Sequence, residues 1–270
     1  MRLTNFIVVP CYNEALRWNK EYWATMLEIP DAHWIFVNDG STDNTLELIK
    51  MTSVTNNSEV LSLKKNVGKA EAVRAGLIKA TENSAGGMVG FMDSDGAFSS
   101  EDLIRILKAS QELCLDKRLF DSIWASRVAL AGRNIRRSKT RHYVGRVIST
   151  LLSGAAKSQS KNERMLPYDT QAGLKMFSVS STFRQVLESP FRTRWFFELE
   201  ILLRWSSNDL SQPMMRIWEI PLNNWFEVPG SKINFREYFR ILREMLYVMT
   251  YSSRSTKVSS FRENKNEGRA

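Results

Sequence analysis

An α/β fold built on a doubly wound, mainly parallel sheet is what the sequence predicts, and three observations predict it. Short apolar, β-branched runs alternate with helix-like stretches four times within about the first 95 residues, the rhythm of strand–helix–strand units. Each apolar run ends in a polar turn, and in an open α/β sheet such turns gather along the carboxyl edge of the strands. One of those turns, Asp93-Ser94-Asp95, closes the buried run Met88–Met92 with two carboxylates one residue apart.

The elements follow in order. Leu3 to Val9 reads as the first strand, stopped by Pro10, which lacks an N–H. Cys11-Tyr12-Asn13-Glu14 turns away from it, and His33 to Asn38 reads as the second strand. Asp39-Gly40-Ser41-Thr42 follows, with Ser41 or Thr42 as cap for a helix from Asp43 to about Met51. Glu59 to Leu63 is a short third strand, and Asn66-Val67-Gly68-Lys69 opens a helix over 70–80. Glu101 to Leu113 carries apolar residues at helical spacing behind a Ser99 or Ser100 cap. Asp121 to Ser126 reads as a strand running into Arg127, residues 143–152 as an amphipathic helix, and Tyr168 to Phe177 as a turn leading into a strand. Residues 1–234 make one domain in this reading, 235–251 a C-terminal amphipathic helix, and 252–270 a polar, disordered tail.

The totals exclude several classes. No run of about 18 apolar residues crosses a membrane. The start of the chain lacks the apolar stretch of a secretory signal, and two cysteines 103 positions apart have no metal-type spacing, so a reduced, cytoplasmic setting is expected. The first turn is not G-x-G-x-x-G and no P-loop occurs, which argues against a dinucleotide or P-loop site. The net charge of +9 is local: residues 127–165 hold ten Lys or Arg and one acid, Glu163. Basic residues beside an apolar stripe read as a segment lying on an anionic membrane surface. Only His142 and Tyr143 could stack on bases there, so no nucleic-acid partner is expected.

Two carboxylates at a strand end repel each other unless a cation joins them, which points to a divalent ion, Mg²⁺ or Mn²⁺, at Asp93 and Asp95. The backbone N–H groups at Gly40-Ser41 and Gly68-Lys69 are placed to receive an anion. Val9 to Glu14, Val37 to Asp43, Asn66 to Lys69 and Asp93 to Asp95 together resemble the four ordered blocks of the inverting family 2 glycosyltransferases of GT-A fold. The resemblance implies that Pro10, Tyr12, Glu14 and Asp39 surround the base and ribose of a nucleotide-sugar, a UDP- or GDP-hexose. With them it groups Gly40, Asn66, Gly68, Lys69, Asp93 and Ser94 as donor-binding residues, and Asp95 as the catalytic metal ligand. One departure stands in the third block, where Ala70-Glu71 follow Lys69 in place of a second glycine.

Three later blocks, 168–177, 194–202 and 220–232, are similar to the polyprenyl-phosphate branch of that family, the dolichyl-phosphate glucosyl- and mannosyltransferases. The implied acceptor is a polyprenyl phosphate, gripped by Arg127, with Arg133, Arg136 and Arg137 toward the lipid and Gln171, Ser231 and Lys232 in the acceptor blocks. Glu198 is the implied carboxyl facing the donor sugar, and the enzyme is expected to lie peripherally on the cytoplasmic membrane face. Transfer to a sugar hydroxyl, and a catalytically dead membrane- or RNA-binding protein, stay open as alternatives at this point.

Overall fold

The computed structural model describes residues 4–84, 86–115, 120–136, 167–208, 215–228, 239–248 and 250. A seven-stranded sheet forms the centre: β1 (Asn5–Cys11), β2 (Ala32–Asn38), β3 (Ser58–Ser62), β4 (Met88–Met92), β5 (Ser122–Ser126), β7 (Leu174–Ser178) and β8 (Ile217–Pro221), in the order β3-β2-β1-β4-β7-β5-β8. β7 alone runs antiparallel to both its neighbours. β6 (Asn134–Arg136) and β9 (Asn224–Phe226) form a separate parallel pair. The helices are α1 (Lys20–Leu27), α2 (Thr45–Thr52), α3 (Lys69–Asn83), α4 (Ser100–Leu115), α5 (Ser181–Glu188) and α6 (Phe197–Asn208), and residues 239–248 are also helical.

Period-two alternation splits the core between the two faces of the sheet. Val8, Ile35, Val37, Phe91 and Phe177 point to one side, where they meet Val73 and Leu77 of α3, Phe183 of α5 and Phe197 of α6. Ile7, Val9, Trp34, Phe36 and Met92 point to the other, against Trp23 of α1, Ile49 of α2 and Leu103 of α4. All seven residues of β1 are buried, as expected of a parallel strand covered on both faces. The doubly wound, mainly parallel α/β architecture is therefore present.

Local details differ from the sequence reading for physical reasons. β1 does not stop at Pro10: Pro10 and Cys11 still register with Val37 and Asn38 of β2. The β4 partner has already ended at the Val8–Phe91 pair, so the absent N–H breaks no ladder on that side. Neither Ser41 nor Thr42 caps α2: the N-cap is Asn44, whose side chain makes no capping bond, and Asp43 just before it accepts from Thr45 N at 3.0 Å. Ser99 does cap α4, accepting from Asp102 N at 3.2 Å. The expected helix over 143–152, the rest of the basic segment after Arg136, and the 252–270 tail lie outside the described residues.

Antiparallel β7 has the largest consequence for the site. Its pairing of Leu174 with Met92 returns the Thr170–Gly173 turn to the carboxyl end of β4, beside Asp93. Asp93 N donates to Gly173 O at 2.9 Å.

Candidate active site

The polar turns after β1, β2 and β3 are laced to one another. Asn13, at a φ of 52°, accepts from Thr42 N at 2.9 Å and donates its own N–H to Ser41 Oγ at 3.1 Å. Glu14 N donates to Thr45 Oγ1 at 2.7 Å. Asp39 binds the third turn: its carboxylate accepts from Val67 N at 2.7 Å, Gly68 N at 2.8 Å and Asn66 Nδ2 at 3.0 Å. The resemblance assigns Asp39 to base and ribose, but here both its oxygens already accept from the turn that shapes that side of the cleft. Burial pushes its pKa up against the pull of those N–H groups and of Arg194. Gly40 does not line the cleft; a Cβ there would meet the Lys65 backbone at 2.4 Å, so its role is to let the second and third turns touch.

The cleft between these turns has a volume of about 290 Å³. Pro10, Tyr12, Glu14, Asp39, Asn66, Gly68, Lys69, Asp93, Ser94 and Asp95, residues read from four separate blocks, all line it. Lys69 Nζ lies 2.6 Å from Asp93 Oδ1; burial opposes its charge, yet Asp93 and Glu198 hold its pKa above the ordinary lysine value. Asp95 is pushed up by burial and then by Asp93. Glu14 is raised by burial, helped by Asp95 and Asp93, and its buried Oε2 has no hydrogen-bond partner among the described residues. No group of three or more His, Cys, Asp or Glu poised to hold an ion occurs among the described residues. Asp93 and Asp95, crowded together in the cleft, offer the carboxylate oxygens by which a hard divalent cation such as Mg²⁺ is commonly held.

Beside this cleft stands a second cationic feature. Arg127, at the end of β5, grips Asp169 with Nε and Nη2, each at 2.7 Å, and its backbone N–H also reaches Asp169 Oδ2 at 3.0 Å. Its guanidinium lies over the Trp225 ring at 5.2 Å. Glu219 fixes the same turn, accepting from Tyr168 N and Asp169 N at 2.7 Å each. The two-pronged face that sequence reasoning reserved for the acceptor phosphate is thus spent on Asp169, which leaves a phosphate the donors not used in that pair. Gln171 donates its N–H to Asp169 Oδ1 at 3.2 Å, while its buried Nε2 has no partner among the described residues. Arg133 and Arg136 belong to the β6 region, with Arg136 over Phe226 of β9 at 5.6 Å. Arg137, Ser231 and Lys232 lie outside the described residues.

Glu198 is 3 % exposed and does not line the cleft. Burial raises its pKa while Lys175 and Lys69 pull it down. Lys175, on β7, is wholly buried between the rings of Trp124 and Phe91, at 4.6 and 5.6 Å, and donates to Ala172 O. Burial lowers its pKa to about 8, against the opposing pull of Glu198 and Asp169. Glu200, two positions on, serves only structure: it accepts from Arg192 N, Thr193 N and Arg204.

Two cleft cations escaped the sequence reading. Arg17 pairs with Glu14 at 2.6 Å, which the i, i+3 spacing would have revealed. Arg194 enters from a turn 99 residues beyond Asp95; it opens the later 194–202 block, but nothing local in that block marks it as a cleft residue.

Residues 6–151, just over half of the chain, match glycosyl transferase family 2. The chain belongs to that family. It is 27% identical over 256 residues to a dolichyl-phosphate beta-glucosyltransferase of Trichomonas vaginalis, covering 90% of this chain and 70% of the relative. A dolichyl-phosphate beta-glucosyltransferase of Dictyostelium discoideum is 26% identical over 251 residues, covering 84% and 68%. Among solved structures, glucosyl-3-phosphoglycerate synthase of Mycobacterium tuberculosis with Mn²⁺, UDP and phosphoglyceric acid superposes with a TM-score of 0.63 at 15% identity, over 93% of this chain and 78% of that one. Its complex with Mg²⁺ and UDP gives 0.61 at 14% identity, over 93% and 79%. At such identity the likeness shows the fold, which is GT-A. The protein is therefore a glycosyltransferase, with its cleft at the carboxyl edge of the sheet where that fold places its ligands.

Proposed function

We propose that this family 2 glycosyltransferase moves a hexosyl group from a nucleoside-diphosphate sugar to a polyprenyl phosphate, with inversion at the anomeric carbon. The observation that carries the reading is the convergence of four strand-end turns on one cleft, with Asp93 and Asp95 at its floor and Arg127 close enough to feel the charges of Asp93 and Glu198. The polyprenyl phosphate is supported by the dolichyl-phosphate beta-glucosyltransferases that match most of the chain.

Asp93 and Asp95 would hold Mg²⁺ or Mn²⁺, which when bound supplies charge neutralisation to a departing nucleoside diphosphate. The protein's own groups do the remaining work. Lys69 offsets the negative charge of Asp93, and the turns bound by Asp39 orient the donor. Arg127, held rigid by Asp169, Glu219 and Trp225, offers its remaining N–H donors to the acceptor phosphate. A phosphomonoester carries most of its second charge at neutral pH, so it attacks without a general base and needs aim and cationic positioning. Glu198, buried against Lys69 and Lys175, maintains charge balance there and is not required to take a proton.

The ten Lys and Arg between residues 127 and 165 suit docking of the enzyme on an anionic membrane from the cytoplasmic side; each basic residue near such lipid is worth on the order of 1 kcal/mol. Among the described residues no helix is long and apolar enough to cross a membrane. The test is transfer of labelled hexose from UDP-glucose or GDP-mannose to a polyprenyl phosphate in mixed vesicles. Turnover should vanish when the acceptor is treated with phosphatase, and Asp95→Asn should lower it about 10²- to 10³-fold. Equal turnover on a dephosphorylated polyprenol would refute the acceptor, and an unimpaired Asp95→Asn enzyme would refute the site.

A further inference from the structure

We propose that Arg194 is a further donor-binding residue, contacting the diphosphate of the nucleotide sugar, and that Glu244 positions it. The inference rests on the nucleotide-sugar reading above and adds to it a residue supplied by the far end of the chain.

Three observations carry it. First, the cations of the cleft are not equivalent. Arg17 pairs with Glu14 and Lys69 with Asp93, each at 2.6 Å. Arg194 lines the same cleft and is exposed to it, yet among the described residues its guanidinium makes no ion pair or hydrogen bond. With a divalent cation balancing Asp93 and Asp95, the charge of a diphosphate would fall to Lys69 and Arg194, and among the described residues Arg194 is the one of the two that no carboxylate already contacts.

Second, the third turn is shaped around this side chain. Gly68 has a φ of 92°, and a Cβ built on it would meet Arg194 Nε at 2.4 Å and Nη2 at 2.5 Å. The guanidinium therefore lies flat on the backbone at the mouth of α3, next to Lys69, where an anion is favoured.

Third, the turn that carries Arg194 is held by two buried carboxylates. Glu244, 5 % exposed, accepts from Arg194 N and Trp195 N at 2.9 Å each. Glu200, 2 % exposed, accepts from Thr193 N and Thr193 Oγ1 at 2.9 Å each. Burying a carboxylate is costly unless it is well bonded. Committing two of them to consecutive backbone N–H groups fixes the direction in which Arg194 leaves the chain. Glu244 belongs to the helix over 239–248, so that helix is tied to the turn that carries Arg194.

The experiment is calorimetric binding of uridine, UMP and UDP, and of guanosine, GMP and GDP, in saturating Mg²⁺. It compares wild type, Arg194→Ala, Arg194→Lys and Glu244→Gln, with donor KM and kcat measured alongside. Arg194→Ala should weaken the preferred nucleoside diphosphate about 10- to 100-fold, the worth of one charge-assisted contact, and leave the monophosphate and nucleoside within about twofold of wild type. Arg194→Lys should recover part of the loss, because it restores charge without the fork. Glu244→Gln should raise donor KM in the same diphosphate-selective way with kcat nearly kept; a scaffold role alone would lower the melting temperature and leave that selectivity intact. Equal losses on nucleoside, monophosphate and diphosphate, or no loss at all, would overturn the assignment of Arg194. A wild-type enzyme that bound none of the six ligands would overturn the nucleotide-sugar reading itself, a result distinct from failure of the arginine variants alone.

Discussion

Substitution of Gly173 by alanine isolates how tightly the acidic pair is positioned. A Cβ at this residue would stand 2.1 Å from Asp93 Oδ2 and 2.3 Å from Asp93 Cγ. Ordinary carbon contacts are about 3.5 to 4 Å, so the carboxylate must withdraw by roughly 1 Å or more. The Gly173 backbone cannot retreat in its place, because its carbonyl accepts from Asp93 N at 2.9 Å and the adjoining β4–β7 register runs unbroken from Met92–Leu174 to Met88–Ser178. Displacement of Asp93 also breaks its 2.6 Å contact with Lys69. A misplacement of about 1 Å in a reacting constellation costs on the order of 10²-fold in rate, whereas overpacking a well-filled site costs about 1 to 3 kcal/mol of stability. Gly173→Ala should therefore keep its fold with a melting temperature lowered by several degrees. Its transfer rate should fall about 100-fold, and the Mn²⁺ concentration for half-maximal activity should rise. Hexosyl transfer across a metal titration, beside a thermal melt, provides the check. An enzyme within threefold of wild type at every metal concentration would show that the position of Asp93 is not the sensitive element, and the reasoning would fail.

Two other outcomes follow from the buried charges. Asp169→Ala strips Arg127, whose side chain is 12 % exposed, of its partner; leaving such a charge uncompensated costs about 3 to 5 kcal/mol, so denaturant unfolding should shift to a lower midpoint and KM for the polyprenyl phosphate should rise more than KM for the donor. Lys175 makes stability pH-dependent: the unfolded chain keeps its proton to the ordinary lysine value of 10.5, the folded chain only to about 8. Between those values the unfolded state holds more protons, so stability rises with pH there, and below about 8 the cost of the buried charge is present in full. Wild type should therefore gain on Lys175→Met by about 1 kcal/mol per pH unit between pH 8 and 10 in urea titrations, and parallel stability curves for the two proteins would contradict the assignment.

What could be read from the sequence was whatever is local. Alternating apolar runs and their turn residues announced the sheet, and because a strand's end is also the sheet's edge, Pro10, Asp39, Gly68 and Asp93 could be assigned to one place without knowledge of any contact. Glu14, Lys69 and Asp95 came with them. Tertiary structure decided which partner each charge took. Asp39 turned inward to the third turn because three donors converge on it, and Arg127 turned to Asp169, 42 residues away, because both are nearly buried and neither could stay there alone. The antiparallel insertion of β7 between β4 and β5 was likewise invisible, since a strand's direction depends on the path of a distant connection and not on its own residues. That reversal sets Gly173 under Asp93, as a long-range turn held by Glu200 and Glu244 sets Arg194 over Gly68. Residue types and spacing thus determined the chemistry assembled at the strand ends. The pairing of buried charges, a matter of desolvation and reach across the whole fold, determined how that chemistry is aimed.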